Sequence, residues 1–257
     1  MRSVSLPTVV NDSELLFGDR LAPITSSMGF LETEPQLAAG EFSRWQDEIK
    51  SALGISVERR EVRGGLEEVL LSLLPLRMAG ATRRLFVPTT GTWTAYLDNN
   101  YRGTDPAAIA YLAQRLTCRT IWIVAKPHTL RSSGTPRQGR QGALIIEVYG
   151  PERTEHLNLI REIRLQNDAG KWEFYIQGAP FPFEETKAYE SRRKTDRFNF
   201  DMMKRYLREL GLRAFDSDFY QPTSGVGAFL VELSGKLPPA GRDVSLDEAR
   251  RLNGIED

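Results

Sequence analysis

Apolar residues along this chain repeat at two spacings, and the order of those spacings predicts the elements. Over residues 41–53, Phe42, Trp45, Ile49 and Leu53 recur three or four positions apart, the signature of an amphipathic helix, and Gly54 supplies a stop. A second helical stripe covers 66–74, ending at Pro75. Residues 85–88 and 92–98 then read as two strands around Thr89-Thr90-Gly91, with Trp93, Ala95 and Leu97 on one face and Thr94, Tyr96 and Asp98 on the other. Asp105 and Pro106 fit the start of a helix running to Leu116. Residues 120–125 form a strongly apolar strand, and 143–149 another. Residues 159–166 and 172–177 predict a hairpin, and 198–210 a helix.

Breakers divide the rest. Pro7, Gly18, Pro23, Gly29, Pro35 and Gly40 interrupt residues 1–40, which read as an extended arm with short strands near 15–17 or Ile24. Residues 56–62 suit a charged edge strand, and 226–233 a last strand. Residues 127–142 form a long Gly/Ser/Pro-rich break carrying Arg131, Arg137 and Arg140 and no acid. After a linker at 235–241, Ser245 and Glu248 have capping-box spacing ahead of a final helix, read as a docking appendage or a mobile end. The expected class is α+β, an antiparallel-dominated sheet with helices mainly packed on one face. The divisions are an arm and helices at 1–83, a main sheet domain at 84–235, and a linker and helix at 236–257.

Composition narrows the function classes. Acidic and basic residues balance at 34 each, so no global field steers the chain toward nucleic acid. A single cysteine, Cys118, excludes an internal disulfide and suits a reducing compartment. The apolar run at 69–76 is too short to cross a bilayer, and the first residues lack the apolar core of a signal peptide. The expectation is a soluble cytoplasmic protein without a membrane partner; oligomeric state is open.

Four groups of residues are candidates for chemistry. The loop from Asp98 through Asn99, Tyr101 and Arg102 to Asp105 gathers polar groups at a strand end, although a helix cap and a turn explain several of them. His128, beside Lys126 and near Arg137 and Arg140, has the chemistry of a general base but no identified nucleophile. His156 is the other histidine, and the spacing of the two supports no metal site. Arg192, Arg193, Lys194, Arg197, Lys204, Arg205 and Arg208 can form a phosphate-binding helix face, or an ordinary solvated one. Finally, strand alternation assigns Tyr96, Tyr149, Tyr175, Glu147, Glu162 and Glu173 to a wet sheet face suited to a protein partner. No GxGxxG, P-loop or GxSxG motif occurs, and no cofactor or metal is implied.

The segment FVPTTGTWTAYLDNNYRGTDPAAIAYLAQRLTCRTIWIVA, with ALIIEVYG and KWEFYIQG, resembles a widespread set of uncharacterised bacterial proteins. These pair a Trp-bearing strand and an Asp-Asn loop with a short helix and an antiparallel sheet. The resemblance covers residues 84–235. It implies an immunity- or antitoxin-like partner of polymorphic toxins and carries over no catalytic residue. The leading expectation is therefore a non-enzymatic protein-interaction module. The alternative is a hydrolase-like or nucleic-acid-binding protein using Asp98, Asp105, His128 and the arginines of the 131–140 loop.

Overall fold

A computed structural model describes residues 10–130, 139–223, 225–236 and 241–255. In chain order its elements are β1 (Ser27–Leu31), α1 (Pro35–Lys50), β2 (Ile55–Val62), α2 (Leu66–Leu71), β3 (Leu76–Arg77), β4 (Arg83–Pro88), β5 (Thr94–Asp98), α3 (Ala107–Arg115), β6 (Thr120–Lys126), β7 (Ala143–Thr154), β8 (Leu157–Asp168), β9 (Lys171–Gln177), α4 (Lys194–Arg197), α5 (Phe200–Glu209), β10 (Ala228–Gly235), β11 (Asp243–Val244) and α6 (Leu246–Leu252). Nine strands form one sheet in the order β2-β10-β4-β5-β1-β6-β7-β8-β9, and β11 pairs with β3. Every pairing between named strands is antiparallel. The α+β expectation holds.

The largest departure from the sequence reading is β1. The expected N-terminal arm instead contributes the middle strand of the sheet, with Gly29 opposite both Tyr96 of β5 and Trp122 of β6. The segment SMGFL is short and carries a glycine where α3 comes closest. A methyl group at Gly29 would overlap the Ile109 side chain. What makes the strand hard to recognise is therefore what lets α3 settle on it.

The sheet is covered on both faces. On one, Phe42 from α1 and Ile109 and Leu112 from α3 pack with Phe86, Tyr96 and Val231. On the other, Trp93, Ala95, Leu97, Ile121, Ile123 and Ile146 meet Val69 and Leu70 of α2 and Met202, Met203 and Tyr206 of α5. Helix α1 begins at Pro35, earlier than the apolar spacing predicts, because its buried contacts come from the small Ala38 and Ala39 with Phe42 and Gln46. Ile49 and Leu53, expected in the buried stripe, are exposed. Strand β2 closes one edge with Glu58, Arg59, Arg60 and Glu61, charges that discourage edge-to-edge association. Strand β9 closes the other. Asn167 Oδ1 accepts from Gly170 N in the β8–β9 turn, where Ala169 and Gly170 adopt positive φ.

The C-terminal segment docks on its own chain. Ser245 caps α6 by accepting from Glu248 N. Ala249 is fully buried, and Arg250 Nη1 donates to Asp19 O and Arg20 O. Asn253 Nδ2 donates to Tyr101 O at 2.7 Å. That last contact ties the tail to the loop between β5 and α3.

Candidate functional site

The loop following β5 is built by its own polar side chains. Asp98 accepts from Asn100 N through Oδ1 (2.9 Å) and from Asp105 N through Oδ2 (3.1 Å). Asn99 accepts from Thr82 N and Arg83 N and donates to Pro75 O. Both side chains are buried, so these two residues hold the fold together and are not available to a ligand. Burial pushes the Asp98 carboxyl up to about 6, against the pull of Arg84 and the two backbone donors. Asp105 Oδ1 accepts from Ala107 N and starts α3. Thr104 O receives both Ser27 Oγ and Trp122 Nε1, pinning the loop to β1 and β6. Gly103, at φ 99°, crosses where a side chain would strike Ser27 and the Pro23 carbonyl.

This pinned loop forms one wall of a cleft with two connected chambers. The first, about 380 Å³, is lined by Pro23, Ser26, Gly139, Arg140 and the tail from Arg251 to Ile255. The second, about 470 Å³, runs along β6 and β7 beneath Asn100, Thr104 and Asp105. Arg102, Lys126 and Gln141 line both.

The cleft is cationic. Among the described residues Arg102, Lys126 and Arg251 make no ion pair, and Asp105 is the single carboxylate in the lining. Arg140 is buried against Asp19, with Asp12 at 3.7 Å, and its Nη1 has no hydrogen-bond partner. Lys126 closes an otherwise apolar strand. Burial holds its ammonium below the usual lysine range, and the nearby charges of Arg140 and Arg102 push it the same way. Such a like-charge cluster is unfavourable unless an anion joins it.

Of the predicted site residues, the structure unites Arg102, Arg140 and Asp105 in this cleft. Tyr101 is half-buried against the core and meets the tail through its carbonyl. His128 lines neither chamber. Its Nδ1 accepts from Gly142 N, its ring packs 5.2 Å from Trp172, and burial lowers its basicity. Placing it with the aspartates as a general base is therefore corrected: it buttresses the turn into β7. Arg137 lies outside the described residues. Tyr96, expected on the wet face, is fully buried between Phe42 and Phe86, because α1 and α3 cover that part of the sheet. The same face is open farther along. Glu173 and Tyr175 are exposed on β9, while on β7 and β8 Tyr149 and Arg164 hydrogen-bond to Glu147 and Arg164 also forms an ion pair with Glu162. Part of the basic helix face is ion-paired, Arg193 with Asp196, Arg205 with Glu185, and Lys204 with Glu14 and Asp201.

Sequence reasoning missed Trp122, Gln141, Arg251 and Asn253 as cleft residues. The polar loop at 98–105 and the arginine-bearing break at 127–142 were the local signals for the site, through Arg102, Asp105 and Arg140. No group of three or more His, Cys, Asp or Glu among the described residues could hold a metal ion. No helix among them is long and apolar enough to cross a membrane. Compared with family models, with curated proteins and with solved structures, the chain shows no match.

Proposed function

We propose that this protein binds an anionic ligand in the cleft between the β5–α3 loop, the ends of β6 and β7, and the C-terminal tail. The convergence of Arg102, Lys126 and Arg251, which make no ion pair among the described residues, in a lining whose single carboxylate is Asp105 and beside an Arg140 already paired with Asp19, carries the reading. Three charges drawn from distant parts of the chain repel one another across the cleft, and an anion between them would offset that cost. Calorimetric titration with orthophosphate, pyrophosphate and citrate at low and high salt tests it. Saturable binding that weakens with salt, and at least tenfold in Lys126→Met and Arg102→Ala, is expected. Failure of every anion to bind, or equal binding by the variants, would overturn it.

A second reading is favoured by a separate observation. Strand β9 ends the sheet with Glu173 exposed and Tyr175 and Ile176 at 50% and 41% exposure. An edge of this kind suits a protein partner that adds a strand or docks on the aromatic, which is the interaction role the immunity-like resemblance implies. Tyr175→Ala with Glu173→Lys should abolish recovery of a stable partner from native lysate. Absence of any partner with the unmodified protein counts against this role.

A further inference from the structure

We infer that the ligand is a nucleoside phosphate, with its phosphate in the first chamber and its sugar and base in the second. This rests on the anion-binding reading above and assigns the class of molecule.

The two chambers differ in chemistry. The first is cationic, lined by Arg102, Lys126, Arg140 and Arg251. A phosphate satisfies it: a compact anion with several acceptor oxygens, suited to guanidinium forks and an ammonium. The second keeps Arg102 and Lys126 at its border with the first but lacks Arg140 and Arg251 and adds Asp105. Trp122 and Val124 of β6 and Ile145 of β7 lie on one sheet face, with Val124 directly opposite Ile145 in register. Asn100, Gln141, Gln166 and Asn167 surround this apolar floor. The Asn100 and Asn167 oxygens already accept from Arg102 N and Gly170 N, while the Gln141 and Gln166 amides offer both donors and an acceptor, so the rim can pair with the edge of a flat heterocycle whose face lies on the floor. A bare inorganic anion would leave this chamber unused. An aliphatic anion would leave the Gln141 and Gln166 amides without a partner from the ligand.

Asp105 supplies the third element. Its Oδ1 caps α3, and its Oδ2 makes no hydrogen bond among the described residues. It lines the second chamber, where Arg102 and Lys126 continue the basic wall. A carboxylate there repels a second anionic group and accepts hydrogen bonds from sugar hydroxyls, the role acidic residues play toward ribose in nucleotide sites. Together the chambers fall in the size range of small-molecule sites.

The test is calorimetry on the full chain with orthophosphate, ribose 5-phosphate, adenosine, AMP and GMP. At least one nucleoside monophosphate should bind tenfold or more tightly than ribose 5-phosphate, and adenosine should bind more weakly than either. Gln166→Ala and Trp122→Ala should bring the ratio of monophosphate to ribose 5-phosphate affinity toward one. Trp122 also pins the loop, so Gln166→Ala keeps the test decisive if the tryptophan variant does not fold. Ribose 5-phosphate binding as tightly as both monophosphates would overturn the nucleoside assignment and leave anion binding standing. No binding by any phosphate would overturn both.

Discussion

Arg161 and Glu184 form a fully enclosed, two-pronged ion pair. Arg161 Nε and Nη2 donate to the two Glu184 oxygens at 2.9 and 2.6 Å, and the side chains are 2% and 0% exposed. Nη1 donates to Gln177 O and Gly178 O, while Tyr189 Oη and Phe181 N donate to the carboxylate. The pair thus fastens β8 to the chain leaving β9. Breaking such a pair strands a charge away from water.

Glu184→Leu or Arg161→Met should therefore lower unfolding free energy by about 3–5 kcal/mol. Arg161→Met with Glu184→Leu should cost less than the two single changes added together, because no uncompensated charge remains. Urea denaturation of the three variants measures this. Strict additivity would show that the pair does not act as a unit.

Asp98 should make stability depend on pH. Its folded pKa is raised to about 6, above the value of about 3.9 for an unfolded aspartate. The folded state therefore holds the proton more tightly. The associated stabilisation is fully present below about pH 4 and is lost as pH rises through 6. Asp98→Asn is neutral throughout, so wild-type stability minus variant stability should fall by about 2–3 kcal/mol between pH 4 and pH 7. Denaturation curves across that window check it, and a flat difference would place the carboxyl's titration elsewhere.

Gly29 and Ile109 should behave as a coupled pair. Gly29→Ala forces a methyl into Ile109 and should cost about 1–3 kcal/mol, the usual penalty for overpacking. Ile109→Ala opens the space and should recover part of that loss in the double variant. A double-mutant cycle by thermal unfolding gives the coupling, and its absence would mean that α3 shifts freely over β1.

Lys126 should show the opposed demands of stability and binding. Its ammonium is partly desolvated beside Arg102 and Arg140. Lys126→Met should raise stability at pH 7 by about 1 kcal/mol while anion affinity falls. The gain should shrink at alkaline pH, since the wild-type amine sheds its proton more readily in the folded state than in the unfolded one. A destabilised variant would argue that the lysine serves packing.

The sequence by itself determined the elements whose periodicity is long and uninterrupted. The β4–β5 pair, the apolar β6, the β8–β9 hairpin and α5 follow from side-chain spacing and turn residues, and Ser245 marks the start of α6. These are local properties of a backbone with a period of 2 or 3.6. Only the tertiary structure decided the place of β1, because a five-residue strand with a central glycine is defined by its neighbours, residues 94–96 and 120–124, and not by its own pattern. It also decided that α1 and α3 bury Tyr96 while Tyr175, of matching alternation, remains exposed. The cleft was least legible of all. Arg102, Lys126, Arg140 and Arg251 each read alone as a solvated cation. They acquire a shared meaning where the chain's path brings a loop, two strand ends and the C-terminal tail to one place, and charge acts through distance in space, whatever the separation along the chain.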